Sequence, residues 1–184
     1  MCGIVGYTGP QSAATPLIEG LRRLEYRGYD SAGIALGTPN KLFIEKRAGK
    51  LSNLEQELSS IPTAHSGIGH TRWATHGGPT DRNAHPHVDN DGKLAVIHNG
   101  IIENYAELKA ELESKGHKFS SDTDTESVAH LLSDLRKKHN GDLSAAMREA
   151  VKSLRGSFTL VAIHADTPDV IVGVRRNSPL VVGI

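Results

Sequence analysis

The chain has 184 residues, which is enough for one domain that buries about 70% of its unfolded surface without a disulfide or metal. Its 21 basic and 21 acidic side chains balance, which argues against recognition of nucleic acid or a membrane surface by bulk electrostatics. A single cysteine cannot form an internal disulfide, the N-terminus lacks a signal-peptide pattern, and no apolar run approaches the roughly 18 residues of a membrane span, so we expect a cytoplasmic protein.

The first half of the chain alternates predicted strands and helices. In order, these are a buried strand from Cys2 to Tyr7, a helix capped by Ser12 and running to about Tyr26, hairpin strands from Gly33 to Leu36 and from Leu42 to Arg47, a helix from Leu51 to Leu58, and a strand from about His65 to Thr71. A long polar loop follows, from Trp73 to about Asp91. Loops of this length inside a compact domain are usually functional or disordered, so we expect it to act as a lid.

The second half groups its predicted helices before its last strands. The elements are a strand from Leu94 to His98, helices from Asn104 to Lys115, from Asp124 or Thr125 to Lys138 and from Leu143 to Leu154, and strands from Ser157 to His164, Val170 to Arg175 and Leu180 to Ile184. The last strand has no turn after it, so we expect the chain to be a piece of a longer protein. Strands at both ends with helices between them indicate an α+β fold.

The cysteine occupies position 2, so removal of Met1 would leave a thiol and a free α-amine on one residue. An α-amine has an ordinary pKa of about 7.7 to 8.0 and can accept the proton of a thiol whose pKa is about 8.5. Nucleophile and base would then share Cys2, which indicates an enzyme that attacks carbonyl carbon. If Met1 is retained, the simpler interpretation is a small buried hydrophobic residue.

Three further positions carry candidate chemistry, each with a plainer alternative. Asn99 and Gly100 follow a predicted strand and could supply two oxyanion donors, although Asn-Gly is also a common turn signal. Arg72 ends a predicted strand and could bind a carboxylate, and Asp124 could bind an ammonium. The alternatives are a surface arginine and a helix N-cap. Together, Arg72 and Asp124 would hold an α-amino acid by both charges.

The ten histidines and the glycines do not favour a cofactor. His70, His76, His85 and His87 are close in sequence, but their spacing lacks a recognisable carboxylate or cysteine partner, so packing is favoured over zinc. The glycine-rich stretches match neither nucleotide-binding motif. The sequence therefore favours neither a zinc site nor nucleotide binding.

Several blocks together resemble a known family. They are Met1 to Gly6, Leu24 to Gly33, His70 to Gly77, Asn83 to His87, His98 to Asn104 and Thr123 to Glu126. They are similar to the glutaminase domain of the glucosamine-6-phosphate synthase family, the isomerising glutamine:fructose-6-phosphate aminotransferases. The first block alone would fit any class II glutamine amidotransferase, including amidophosphoribosyltransferase and asparagine synthetase, whereas the blocks from Tyr26 to Ser31 and from His70 to Gly77 favour the aminosugar family.

The resemblance implies a four-layer αββα sandwich, the N-terminal-nucleophile hydrolase fold, over residues 2–184. It implies that Cys2 is the nucleophile, that Asn99 and Gly100 form the oxyanion hole, and that Arg72 and Asp124 bind glutamine. The remaining implied site residues are Trp73, Thr75, His76 and Gly77 in a lid over glutamine, with Arg27 and His85 in support. The resemblance implies no metal and no organic cofactor.

The same resemblance implies partners and a reaction. The domain would hydrolyse L-glutamine to glutamate and ammonia, and sugar isomerase domains absent from this chain would use the ammonia to convert fructose 6-phosphate to glucosamine 6-phosphate. A homodimer formed through those missing domains is a further expectation, with no nucleic-acid or membrane partner. Two alternatives stay open: the glutaminase domain of another class II amidotransferase, and a non-catalytic glutamine-binding module if Met1 is retained.

Overall fold

A computed structural model describes residues 2–74 and 77–183, and within them the chain forms two antiparallel sheets of four strands each. The strands are β1 (Gly3–Thr8), β2 (Ser31–Thr38), β3 (Lys41–Ala48), β4 (Ser66–Arg72), β5 (His87–Val88), β6 (Leu94–Ile102), β7 (Gly156–His164) and β8 (Thr167–Arg176). The helices are α1 (Ala14–Leu24), α2 (Leu51–Glu57), α3 (Tyr105–Ser114), α4 (Thr125–Lys138) and α5 (Leu143–Ser153).

The first sheet has the strand order β1-β4-β2-β3. Strands β2 and β3 form the predicted hairpin, and Asn40 in its turn has a φ of 64°, a conformation that asparagine tolerates better than most residues. Strand β1 runs antiparallel to β4, with Gly3 opposite Thr71. The start of β1 therefore lies beside the end of β4, which brings the N-terminus next to Arg72.

The second sheet has the order β5-β6-β7-β8. Strand β6 continues past His98 as far as Ile102, and Asn99 and Gly100 lie opposite Thr159 and Phe158 of β7. The prediction that the strand ends at His98 was wrong, and so was the alternative of an Asn-Gly turn. Pairing with β7 through Ile102 supplies the ladder that keeps this segment extended.

Three apolar cores separate four layers. Helices α1 and α2 pack on the first sheet through buried residues that include Leu17, Leu21, Leu51 and Leu54. Helices α4 and α5 pack on the second sheet through a cluster that includes Val128, Leu132, Ala146 and Met147. Between the sheets lie Ala35, Ile68, Ala95, Ile97, Val161 and Ile163. Helices on the outer face of each sheet give the predicted αββα sandwich.

Two other local predictions were wrong. Ser12 does not cap α1, because the Ala13 N–H donates to the Ala64 carbonyl (2.7 Å) and the helix begins at Ala14. Residues 180–183 form no strand, and Leu180 packs against the core between the sheets. The predicted loop after Trp73 contains a short 3₁₀ turn at Asp81–Asn83 and strand β5. Among the described residues, none of the helices combines the length and the hydropathy that a membrane-spanning segment needs.

Candidate active site

The main predicted site residues meet at one end of the two sheets. Cys2 precedes β1, Arg72 ends β4, Asn99 and Gly100 lie in β6, and Asp124 precedes α4. Antiparallel pairing of β1 with β4 brings the first two together, and the face-to-face packing of the sheets brings β6 to them. Residues distant in sequence thus form one cluster.

The Cys2 thiol is held by the backbone of Trp73. The Trp73 N–H donates to Cys2 Sγ at 3.2 Å, and the Sγ–H donates to the Trp73 carbonyl at 3.6 Å. Burial raises the pKa of the Cys2 thiol above its ordinary value, while the Trp73 N–H acts in the opposite direction. The resting thiol is therefore protonated at neutral pH, and a base must remove its proton before it can attack a carbonyl.

Asn99 is tied directly to the cysteine. Its Nδ2 donates to the Cys2 carbonyl at 3.0 Å, and its Oδ1 lies 2.9 Å from His70 Nε2. An asparagine amide has two N–H donors, so one remains for another acceptor. At Gly100, with φ of 126°, a Cβ would lie 2.1 Å from the Ser157 carbonyl oxygen. The close approach of β7 and the positive φ both require glycine at this position.

Two cavities open beside Cys2. One of about 20 Å³ is lined by Cys2, Arg72, Trp73, His85, His98, Gly100, Thr123, Asp124 and Thr125. The other is an open cleft of about 690 Å³ that Cys2, Asn99, Gly100 and Arg27 also line, together with residues 178–181. Cys2 and Gly100 line both cavities, so a molecule in either space meets the cysteine and the β6 backbone.

Arg72 and Asp124 both face the small cavity with buried side chains. The Arg72 guanidinium donates to the carbonyls of Gly77 (3.2 Å) and Gly78 (3.3 Å). It is therefore not the surface arginine of the plainer alternative, because it also holds the backbone of the loop that follows it.

Asp124 occupies the N-cap position of α4, but its side chain makes no capping hydrogen bond. Its carboxylate instead accepts from the Ile102 N–H in β6 at 2.8 Å. The capping alternative was therefore wrong for the side chain, since the carboxylate turns toward the strand. This bond joins the start of α4 to the strand that carries Asn99 and Gly100.

Only part of the predicted lid is described. Trp73 is 45% exposed, with its ring edge-on to Tyr29 at 5.7 Å between centroids. The Ala74 N–H donates to Asp30 Oδ2 at 2.8 Å. Gly77 has a φ of 74°, and a Cβ there would lie 2.7 Å from Asn83 Nδ2. Thr75 and His76, like Met1, lie outside the described residues.

The two predicted supporting residues line different cavities beside Cys2. Arg27 lines the large cleft, and its guanidinium carbon lies 6.0 Å from the Tyr26 ring centroid. His85 is buried beside the small cavity, and its Nε2 lies 2.9 Å from Thr125 Oγ1. Burial holds the pKa of His85 well below 6.5, so the ring is neutral at neutral pH.

Sequence reasoning missed two residues that support this cluster. Thr125 Oγ1 lies 2.9 Å from both His85 Nε2 and His98 Nδ1, so it joins two rings of the cavity wall. Lys46 Nζ donates to the carbonyls of Ala84 (2.8 Å) and Pro86 (3.2 Å), on either side of His85. Thr125 stood in a block already singled out, whereas nothing in the sequence distinguished Lys46 from a surface lysine of β3.

The histidines pack against one another and bind hydroxyl and amide groups. The His70 and His85 ring centroids are 4.2 Å apart, those of His85 and His87 are 4.7 Å apart, and His87 Nε2 lies 2.9 Å from Thr123 Oγ1. Across residues 2–74 and 77–183, no three His, Cys, Asp or Glu side chains are grouped so that they could hold a metal ion.

Comparisons with known proteins agree on one family. A family model described as "Glutamine amidotransferase domain" matches residues 70–181. The chain is 63% identical to glutamine–fructose-6-phosphate aminotransferase (isomerizing) of Streptomyces coelicolor and 58% identical to a protein of the same name from Thermus thermophilus. Each alignment covers 100% of this chain and 30% of the relative, so the chain spans about 30% of the length of these curated relatives.

Solved structures agree on the fold. Glutamine phosphoribosylpyrophosphate amidotransferase from B. subtilis, solved with ADP and GMP, matches with a TM-score of 0.74 and 31% identity over 89% of this chain and 35% of that one. A structure described as the allosteric regulatory enzyme of purine biosynthesis matches with a TM-score of 0.74 and 32% identity, over 88% of this chain and 35% of that one. The predicted N-terminal-nucleophile hydrolase sandwich is thereby confirmed.

Proposed function

We propose that this chain, which belongs to the glutamine amidotransferase domain family, hydrolyses the side-chain amide of L-glutamine to glutamate and ammonia. The reaction proceeds through a thioester on Cys2. The observation that carries the proposal is the position of the thiol. The Cys2 thiol is hydrogen-bonded to the Trp73 backbone, and the Cys2 backbone carbonyl accepts from Asn99. Cys2 also lines a small cavity together with Arg72 and Asp124.

Opposite charges in that cavity wall support an amino acid as substrate. The Arg72 guanidinium would bind the α-carboxylate and the Asp124 carboxylate the α-ammonium of glutamine, as charge-assisted hydrogen bonds. A cavity of about 20 Å³ has room for about one water molecule, so its walls must separate to admit glutamine.

The reaction begins when the Cys2 thiolate attacks the δ-carbon of glutamine. The carbonyl oxygen becomes an oxyanion, which the second Asn99 N–H and the Gly100 N–H would stabilise, each donor being worth about 10² to 10³ in rate. The C–N bond then breaks, the leaving nitrogen takes a proton from the base and departs as ammonia, and water cleaves the thioester to glutamate and the free thiol.

The base would be the α-amine of Cys2 after removal of Met1. The hydrogen bonds described for Sγ both involve the Trp73 backbone, so the thiol contacts an amide and a carbonyl, neither of which can act as a base. An amine of pKa about 7.7 to 8.0 on the same residue could take the proton through one water, because the direct hydrogen-bond angle within one residue is poor.

The complete protein would transfer the ammonia to a sugar. Relatives more than three times as long are named glutamine–fructose-6-phosphate aminotransferase (isomerizing), which supports fructose 6-phosphate as the acceptor and glucosamine 6-phosphate as the product. Sugar isomerase domains following residues 2–184, a homodimer formed through them, and a cytoplasmic location complete the proposal.

Replacement of Cys2 tests the glutaminase reaction. We expect the chain with Met1 removed, verified by mass spectrometry, to release glutamate from glutamine, and Cys2→Ala to lower kcat by at least about 10³-fold because the nucleophile is gone. The melting temperature should change little, since the substitution removes only a sulfur beside a cavity. A matched chain with one extra residue before Cys2 should also be inactive. Turnover by Cys2→Ala near the rate of the unsubstituted chain would contradict the proposal.

A further inference from the structure

A chain of hydrogen bonds connects the first sheet to the nucleophile through the second sheet. His70 lies in β4 between Ile4 of β1 and Gly33 of β2, and its side chain crosses to β6. There its Nε2 lies 3.0 Å from the His98 carbonyl oxygen and 2.9 Å from Asn99 Oδ1. Asn99 Nδ2 continues the chain to the Cys2 carbonyl at 3.0 Å.

The direction of each hydrogen bond in this series is fixed by the carbonyl groups of His98 and Cys2 at its two ends. The carbonyl oxygen of His98 can only accept, so His70 Nε2 must carry a proton. A protonated Nε2 donates, so the Asn99 atom beside it must be oxygen, and the amide nitrogen must face the other way. The Cys2 carbonyl also only accepts, which independently requires nitrogen at that end. No other assignment of the Asn99 amide satisfies both carbonyls.

We propose that His70, in its neutral Nε2–H form, is a positioning residue that holds the Asn99 amide with its nitrogen toward Cys2, so that the second N–H meets the developing oxyanion. The inference rests on the proposed glutaminase function. His70 lines neither of the two cavities beside Cys2 and acts through Asn99.

The surroundings of His70 keep its ring neutral. It is fully buried, and the charged or titratable groups that face it are Arg72 on its own strand, His98 on β6, His87 on β5, and the His85 ring, which is tilted by 37° with centroids 4.2 Å apart. Burial lowers the pKa of His70 to about 3. Nδ1 is buried and makes no hydrogen bond to any described residue, which agrees with a ring that is deprotonated there.

The first test compares His70→Leu with His70→Gln in the chain with Met1 removed. Leucine removes the donor, and we expect kcat for glutamine hydrolysis to fall about 10- to 100-fold with KM changed less than about threefold, because the oxyanion interaction is made only in the transition state. Glutamine has an N–H donor near the position of Nε2 and should restore kcat to within about fivefold of the original. His164→Leu, a buried histidine at the far end of β7, is the matched control and should leave both constants unchanged.

A double-mutant cycle asks whether His70 acts through Asn99. In the Asn99→Ala background, His70→Leu should lower kcat by less than about twofold, since there is no amide left to orient. A further readout does not depend on activity. NMR of the ring nitrogens of His70 in the unsubstituted chain should show a protonated Nε2 and an unprotonated Nδ1.

The outcomes separate the inference from the function beneath it. If the unsubstituted chain is active, any one of three results overturns the positioning role alone. These are additive losses of kcat in the double-mutant cycle, a rise in KM of His70→Leu as large as its fall in kcat, and a proton on Nδ1 of His70. A chain with verified removal of Met1 that releases no glutamate overturns the proposed function and this inference with it.

Discussion

Arg72 uses part of its hydrogen-bonding capacity within the protein. A guanidinium has five N–H donors, and two of its contacts go to the carbonyls of Gly77 and Gly78. Its sequence position, at the end of a strand, predicted a carboxylate ligand but gave no sign of these contacts. The same side chain thus fixes the loop beside the cavity and presents a positive charge to it.

Substitution of Arg72 by lysine tests its role in substrate binding. Lysine keeps the charge but loses the planar array of donors, so we expect KM for glutamine to rise at least about tenfold with kcat changed much less. Steady-state glutamate release measures both constants. Arg82→Lys is the control, because Arg82 is an exposed arginine of the same loop that pairs with Asp122. An unchanged KM in Arg72→Lys would remove this residue from the proposed binding site.

Elements around the site are joined by the buried carboxylate of Glu126 in the first turn of α4. It accepts from the Ser120 N–H (2.7 Å) and hydroxyl (2.9 Å), and from the Ser121 N–H and hydroxyl, both at 2.6 Å. Burial raises the pKa of Glu126, but the adjacent His130 ring and the bonds from Ser121 and Ser120 outweigh it and hold the pKa well below 4.5. The loop that leads to Asp124 is therefore attached to the helix that follows it.

Glu126→Gln should loosen this attachment. The amide of glutamine has only one acceptor oxygen, so its nitrogen would face the N–H and hydroxyl donors of one serine. We therefore expect the free energy of unfolding to fall by about 3 kcal/mol and KM for glutamine to rise. Urea unfolding measures the first quantity and glutamate release the second. Glu113→Gln, on the exposed face of α3, should change the unfolding free energy by less than about 0.5 kcal/mol. Equal effects of the two substitutions would contradict this prediction.

Helical elements were predictable because their signals are local. Helix α4 begins at Thr125 and ends at Lys138, as its apolar spacing and first-turn residues predicted. The errors at Asn99, Ser12 and Leu180 have one cause: pairing or packing with distant residues decided each conformation. The pairing of Arg72 with Asp124 was predicted from their opposite charges, but their approach at one cavity depends on tertiary packing, since Arg72 ends β4 and Asp124 precedes α4. Lys46 and His70 acquire their roles from neighbours that no sequence spacing shows.

At the scale of the whole molecule, histidines are buried at the end of the sandwich that carries Cys2. His70, His85 and His87 each have a pKa that burial lowers, to about 3 for His70 and well below 6.5 for the other two. A buried neutral histidine must stay unprotonated in the folded state, while the unfolded chain takes up the proton. Stability from this source is complete above pH 6.5 and is lost as the pH falls.

Acid should therefore destabilise the fold well before the carboxylates titrate. Because the unfolded state binds up to three more protons, we expect the free energy of unfolding to fall by up to about 4 kcal/mol per pH unit between pH 6.5 and about 4.5. Below 4.5, protonation of Glu126 in the unfolded state adds a loss in the same direction. Urea unfolding across this range measures the slope. His70→Gln should reduce it by about 1.4 kcal/mol per pH unit, which corresponds to the uptake of one proton fewer. A flat profile would contradict the buried neutral cluster.

The anchoring of Cys2 has a practical consequence for anyone producing this protein. The first residues of a domain are usually poorly ordered, but here the Cys2 carbonyl is fixed by Asn99 and the next residue pairs with β4. A purification tag or fluorescent fusion at this end would turn the amine into an amide, which is not basic at any useful pH. Such a label belongs elsewhere on the chain, or must be cleaved by a protease that leaves cysteine as the first residue.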